Sequence, residues 1–182
     1  MMQITTKQKI AISSLAVVLS LAAFVLWIPV TITNDGLEQQ FTTEELTKKT
    51  QVIVIGEIVD SRSDLTFKDN DIKKPFIWTT TYIKPERFIK GSDDSPLLEV
   101  KTIGGQVNNI KHDADEPKFQ KGDRVLLFLN KEPDSVYGNS YYVSGVTQGK
   151  WTLKNSMADN ENPERNLSET ALMAEINKGL GK

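Results

Sequence analysis

QVIVIGEIVD at 51–60 and FIWTTTYIKPERFIK at 76–90 are the stretches on which the reading of the fold turns. The first is a β-branched run broken only by Gly56, a residue that marks a bulge or a sharp bend when it interrupts a strand pattern. The second is rich in Thr, Ile and aromatic residues, the composition of a pleated surface, with Pro85 at an edge or bulge position. Working outward, LLEVKTI at 97–103 alternates and stops at Gly104-Gly105, a turn signal. RVLLFLN at 124–130 is a continuous apolar strand entered from the turn residues KGD. Tyr141–Val146 and Lys150–Leu153 complete the set, separated by a turn at Gln148-Gly149. Five or six strands with Gly-marked bends, in roughly a hundred residues, predict a mainly β domain over 51–154. A small closed barrel is expected, because a flat sheet leaves edges exposed.

The flanks differ in kind. IAISSLAVVLSLAAFVLWIPV at 10–30 carries no charge and as a helix is about 30 Å long, the thickness of a hydrocarbon core. Trp27 suits the headgroup interface and Pro29 marks the exit. A cleaved signal peptide would show a shorter apolar core and a small-x-small site, which IPVTITNDG does not supply. The reading is an uncleaved transmembrane anchor, with secretion after cleavage as the alternative. Lys7 and Lys9 precede it, whereas Asp35, Glu38, Glu44 and Glu45 follow before Lys48 and Lys49 appear. The positive-inside rule then leaves residues 1–9 in the cytoplasm and the domain outside the membrane. Residues 31–50 read as a polar spacer. Within it TTEELTKK offers Thr42 or Thr43 as the N-cap of a short helix. After the barrel, 155–165 (NSMADNENPER) reads as a linker and 166–182 as an amphipathic helix. Asn166 and Glu169 have capping-box spacing, and Leu172, Ile176 and Leu180 form one apolar stripe.

Taken in order, VIVIGEIVD, FIKG (88–91), VKTIGG (100–105), PKFQKGDRVLLFL (117–129) and VSGVTQGKWTL (143–153) resemble the netrin-like variant of the OB fold. That is the fold of the N-terminal domain of tissue inhibitors of metalloproteinases, and it is similar to that of small membrane-anchored prokaryotic domains. The resemblance spans 50–153 and implies a barrel that binds proteins, glycans or oligonucleotides. Those inhibitors place a free N-terminal cysteine on the catalytic zinc. This chain contains no cysteine, so inhibition does not carry over.

The chemistry available is narrow. Without cysteine there are no disulfides, thiolate metal sites or thiol nucleophiles. Of 22 basic side chains two precede Asp35, which leaves 20 against 24 acids downstream, a balance ill-suited to nucleic-acid backbones. The sole histidine, His112, stands beside Asp113, Asp115 and Glu116 in KHDADEPKF. A lone His next to adjacent acids reads more readily as a solvated loop than as a cation site. Asp69-Asn70-Asp71 and Asp93-Asp94 lack the glycine and distal glutamate of a calcium loop. No G-x-S-x-G turn or phosphate-binding glycine loop occurs. Neither catalytic, cofactor nor metal residues are assigned, and no cofactor is expected.

The aromatics Trp78, Tyr82, Phe88, Tyr137, Tyr141, Tyr142 and Trp151 either fill the core or form a stacking platform for sugars or bases. The Tyr141-Tyr142 pair splits between the two faces of a strand. Asn166-Leu167-Ser168 matches a glycosylation sequon by pattern. These features lead to the expectation of a membrane-tethered, extracytoplasmic binding or protein-interaction module without catalysis. A metal-dependent or hydrolytic enzyme using the His112 loop is the alternative. A pilin-like assembly subunit is the third reading, though Lys9-Ile10 lacks the glycine of a processing site.

Overall fold

The computed structural model describes residues 30–34, 39–66, 76–133 and 137–182. In chain order these form strand β1 (Val30–Asn34), helix α1 (Thr43–Lys49), β2 (Val52–Thr66), β3 (Phe76–Lys90), β4 (Leu98–Ile103) and β5 (Gly105–Val107). There follow β6 (Ile110–Ala114), β7 (Arg124–Asn130), β8 (Tyr142–Val143), β9 (Lys150–Lys154), β10 (Met157–Asn160), β11 (Leu167–Ser168) and helix α2 (Glu169–Gly179). The predicted anchor over 10–30 lies outside the described residues apart from Val30. Among the described residues no helix is long and apolar enough to cross a membrane.

The protein is mainly β, and its principal sheet is antiparallel with the order β11-β10-β9-β7-β2-β3-β4, β8 joining at β7. This corrects the closed barrel of five or six strands to a larger, open sheet. β8 supplies only two residues to the β7 ladder. Its approach to β4 is a single parallel bridge, Val100 to Tyr141, made by two 2.8 Å hydrogen bonds from Lys101 N to Tyr141 O and from Tyr141 N to Glu99 O. A second sheet, β1-β6-β5, pairs β1 with β6 in parallel. Two segments not read as strands are therefore strands: 30–34, which takes the last residue of the expected anchor and the start of the expected spacer, and 157–160, inside the expected linker. The C-terminal helix is capped by Ser168, whose hydroxyl accepts from Ala171 N, rather than by Asn166. Asn166 instead accepts from Asn160 N at 2.7 Å.

Strand β2 is apolar at consecutive positions because both of its faces are covered, as are those of β7. Val52, Val54 and Ile58 face one core with Ile83, Leu98, Val100, Val125, Leu127, Leu129 and Val143. Ile53 and Ile55 face a second core with Leu126, Phe128, Trp151 and Leu153, and helices α1 and α2 close it with Leu46, Leu172 and Ile176. The α1 segment is thus packed on the domain. Its capping box is complete, with Thr42 as N-cap and Glu45 reaching back to it. Gly56 sits at a register shift opposite Pro85. A Cβ there would lie 2.6 Å from Lys84 O, so only glycine lets the two strands close at the bulge.

Gln148 joins the incoming chain to this frame. It is buried, its carbonyl accepts from Phe41 N at 2.7 Å, and its amide donates to Gln39 O at 2.8 Å. One side chain so mimics a strand edge, satisfying two backbone groups.

Candidate functional site

The inward face of the β2–β3 hairpin changes character halfway along. Up to Ile58 and Ile83 it is apolar. A register shift between Ile58 and Asp60 then moves the inward positions to odd numbers on β2 and brings Ser61 opposite Thr81 and Ser63 opposite Thr79. Both pairs are hydrogen-bonded at 2.8 Å. Thr79 Oγ1 donates onward to Gly104 O at 2.7 Å, so within the second pair Ser63 is the donor. That relay uses the single donor of each hydroxyl and leaves both Thr79 and Ser63 with acceptor capacity only. Gly105 makes the close approach workable, since a Cβ on it would stand 2.4 Å from Thr79 Oγ1 and 2.5 Å from Ser63 Oγ.

Over these hydroxyls lies a cavity of about 270 Å³, close to the lower end of small-ligand pockets. Ser61, Thr79 and Thr102 line one side, and Lys111, His112 and Asp113 of β6 another. Glu116, Lys118 and Phe119, from the segment leading to β7, complete the wall. The lining therefore offers hydroxyls, two ammonium groups, carboxyls and an aromatic edge within one small volume. Such a set can hold a polar ligand by hydrogen bonds while an apolar face rests on Phe119.

The His112 cluster does not come together as a ligand set. Instead of a solvated loop, His112 and Asp113 occupy strand β6, where alternate residues face opposite ways, and Asp115 and Glu116 follow it. His112 is buried and meets Phe76 edge-on at 5.3 Å, while Asp113 pairs with Lys111 across 2.5 Å. That pairing holds the Asp113 carboxyl below the usual range. Glu116 lies beyond the strand and accepts from the Tyr137 hydroxyl at 3.1 Å. Burial pushes its carboxyl up, against the opposing hydrogen bonds from Tyr137 and the Ile103 backbone. Among the described residues no group of three or more His, Asp or Glu side chains could hold a metal ion.

The aromatics divide. Trp151 is core, 1% exposed, and Phe88 packs on the first core from its edge. Tyr141 is buried and Tyr142 half-buried, the split the strand period predicts. Tyr141 donates to Asp93 at 2.8 Å and Tyr142 to Glu132 at 2.8 Å; burial and then those bonds push both phenols up to about 12. Trp78 belongs to a continuous row. Phe76 leans on Trp78 at 5.1 Å, Trp78 meets Tyr137 edge-on at 5.5 Å, and Tyr137 stacks on Tyr142 at 4.8 Å. The row joins His112 at the cavity to Glu132 at its far end. Its rings are spent on one another, which makes it a wall more than an open platform.

Reasoning from sequence missed Ser61, Thr79, Thr102, Lys118 and Phe119 as cavity residues. A signal existed in the serines of SRSD (61–64) and the threonines of WTTT (78–81), which face each other once the hairpin is paired in register. No protein-family model matches the chain, and no curated protein matches it.

Proposed function

We propose that this protein is a membrane-tethered binding module whose ligand site is the hydroxyl-lined cavity between the β2–β3 hairpin and β6. The observation that carries the proposal is the convergence of Ser61, Thr79, Thr102, Lys118, Glu116 and Phe119 on one volume of about 270 Å³. The apolar run 10–30 is the tether, with residues 1–9 cytoplasmic and the domain on the outer side. Netrin-like kinship belongs to the same proposal. It is supported by the sequential β2-β3-β4 pairing, by β7 beside β2, and by the parallel bridge that brings β8 to β4. The ligand class is a polar group such as a glycan or the side chains of a protein partner. Nucleic acid is disfavoured by the acidic balance.

A thermal-shift screen of the full chain in detergent against soluble glycans and peptides tests this. Hits are expected to weaken by about tenfold, the loss of one charged hydrogen bond, in the Lys118→Ala variant, whose side chain is exposed. Hits indifferent to Lys118→Ala and to Thr102→Val, or turnover of the added compound, would sink the proposal.

A further inference from the structure

The parallel ladder between β1 and β6 fixes where the β5–β6 hairpin stands relative to the preceding chain. Val30 is opposite Ile110 and Asn34 opposite Ala114. The two strands run the same way, so the hairpin tip Asn108-Asn109 lies at the end where β1 begins. Neighbouring strands are about 4.8 Å apart and each residue advances about 3.3 Å, which puts the tip within about 10 Å of Val30 whatever the tilt of the sheet. The proposed anchor ends at that same residue. Outside the hydrocarbon, the headgroup layer is about 5–7.5 Å deep on each side.

The chemistry of the tip agrees with its place. From Gly104 to His112 the sequence GGQVNNIKH contains no acid, in a chain with 24 of them. Gln106, Asn108, Asn109 and Lys111 are exposed, and Val107 and Ile110 are half-buried on either side of the turn. Side-chain amides donate to phosphate and ester oxygens, and the Lys111 ammonium, already paired with Asp113, has further donors to give.

We infer that the β5–β6 hairpin tip docks on the phospholipid headgroups of the membrane that holds the chain. The inference rests on the anchor reading of 10–30. It has a consequence for the cavity, since Lys111 and His112 follow the tip directly: the ligand site opens beside the membrane surface, and ligands are met there.

Because the chain has no cysteine, Asn109→Cys and Asn177→Cys each create one labelling site, the second on exposed α2. The full-length labelled variants are reconstituted in vesicles of phosphatidylcholine and phosphatidylglycerol that carry a nitroxide on the choline headgroup, then floated on a density gradient. Fluorescence quenching at position 109 is expected to exceed that at 177 by about threefold, as residence in the headgroup layer requires. Equal quenching in chains that float with the vesicles overturns the docking and leaves the anchor standing. Chains that do not float overturn the anchor, and the docking with it.

Discussion

The two halves of the β2–β3 hairpin share one ladder and differ in what they bury. From Val52 to Gly56 the strand is closed on both faces, by the sheet's own core on one side and by α1 and α2 on the other, and Ile58 continues the first core. From Ser61 to Thr66 it is mostly exposed or half-exposed, and two of its inward side chains, Ser61 and Ser63, are hydroxyls engaged with threonines across the pair before Leu65 meets the buried Ile77. Apolar burial gains about 25 cal/mol per Å², so the first half stabilises the fold. The hydroxyl pairs contribute on the order of 1 kcal/mol each at most and leave a cavity where a core would have been. A single bulge near Val59 separates a region that must stay packed from one that can bind.

The comparison is broken most severely at Phe128, which is fully buried in the helix-facing core. Phe128→Ala is expected to cost about 3–5 kcal/mol, measured by urea unfolding. A loss under ~1 kcal/mol would mean that the helices do not seal that face. At the bulge opposite Pro85, Gly56→Ala places a Cβ against Lys84 O and should cost about 1–3 kcal/mol. An unchanged unfolding midpoint would show that the strands part there at no cost. In the upper half, Thr79→Val interrupts the relay from Ser63 to Gly104 O and is expected to cost about 1–2 kcal/mol. If the loss matched that of Phe128→Ala, the two halves would not differ in kind.

The smallest effect is a change of pH dependence. The folded carboxyl of Glu116 titrates above the ordinary value of 4.5 because burial disfavours its charge. Its neutral form therefore favours the fold, a contribution present below 4.5 and lost as pH rises through the folded value. Glu116→Gln should remove that loss. Melting temperatures of wild type and variant, compared from acid to neutral pH, are expected to diverge upward in favour of the variant. Parallel curves would place the carboxyl in open solvent.

Much of the packed half was legible in the residues. The runs at 51–60, 76–90 and 124–130 became β2, β3 and β7, and the bulge signalled by Gly56 and Pro85 appears where those residues pair. Closure was misjudged because Tyr141–Val146 reads as one strand, yet only Tyr142–Val143 pairs with β7 before Gly145 and Val146 turn left-handed, at φ 70 and 50. β10 was hidden by polarity: MADN has little strand propensity, and its place comes from the ladder with β9 and from the Asn155-Ser156 turn, both residues at positive φ. The cavity was less legible still. Its hydroxyls come from three separate strands and meet only through register, which short-range pattern does not encode. His112 draws attention as the one histidine, but it is buried against Phe76 and forms no metal-ligand set with its acidic neighbours.

The Gln148 amide carries a mechanical consequence. A pull on the chain ahead of Val30 reaches the domain at two stations in series, the β1–β6 ladder and then the two hydrogen bonds from Gln148 to residues 39 and 41. Gln148 stands at the end of a 3-10 turn that leads straight into β9. Load arriving there passes into the middle of the large sheet through β9. A tethered module built this way feels tension on its tether first at β6, a wall of its cavity, and only then in the large sheet.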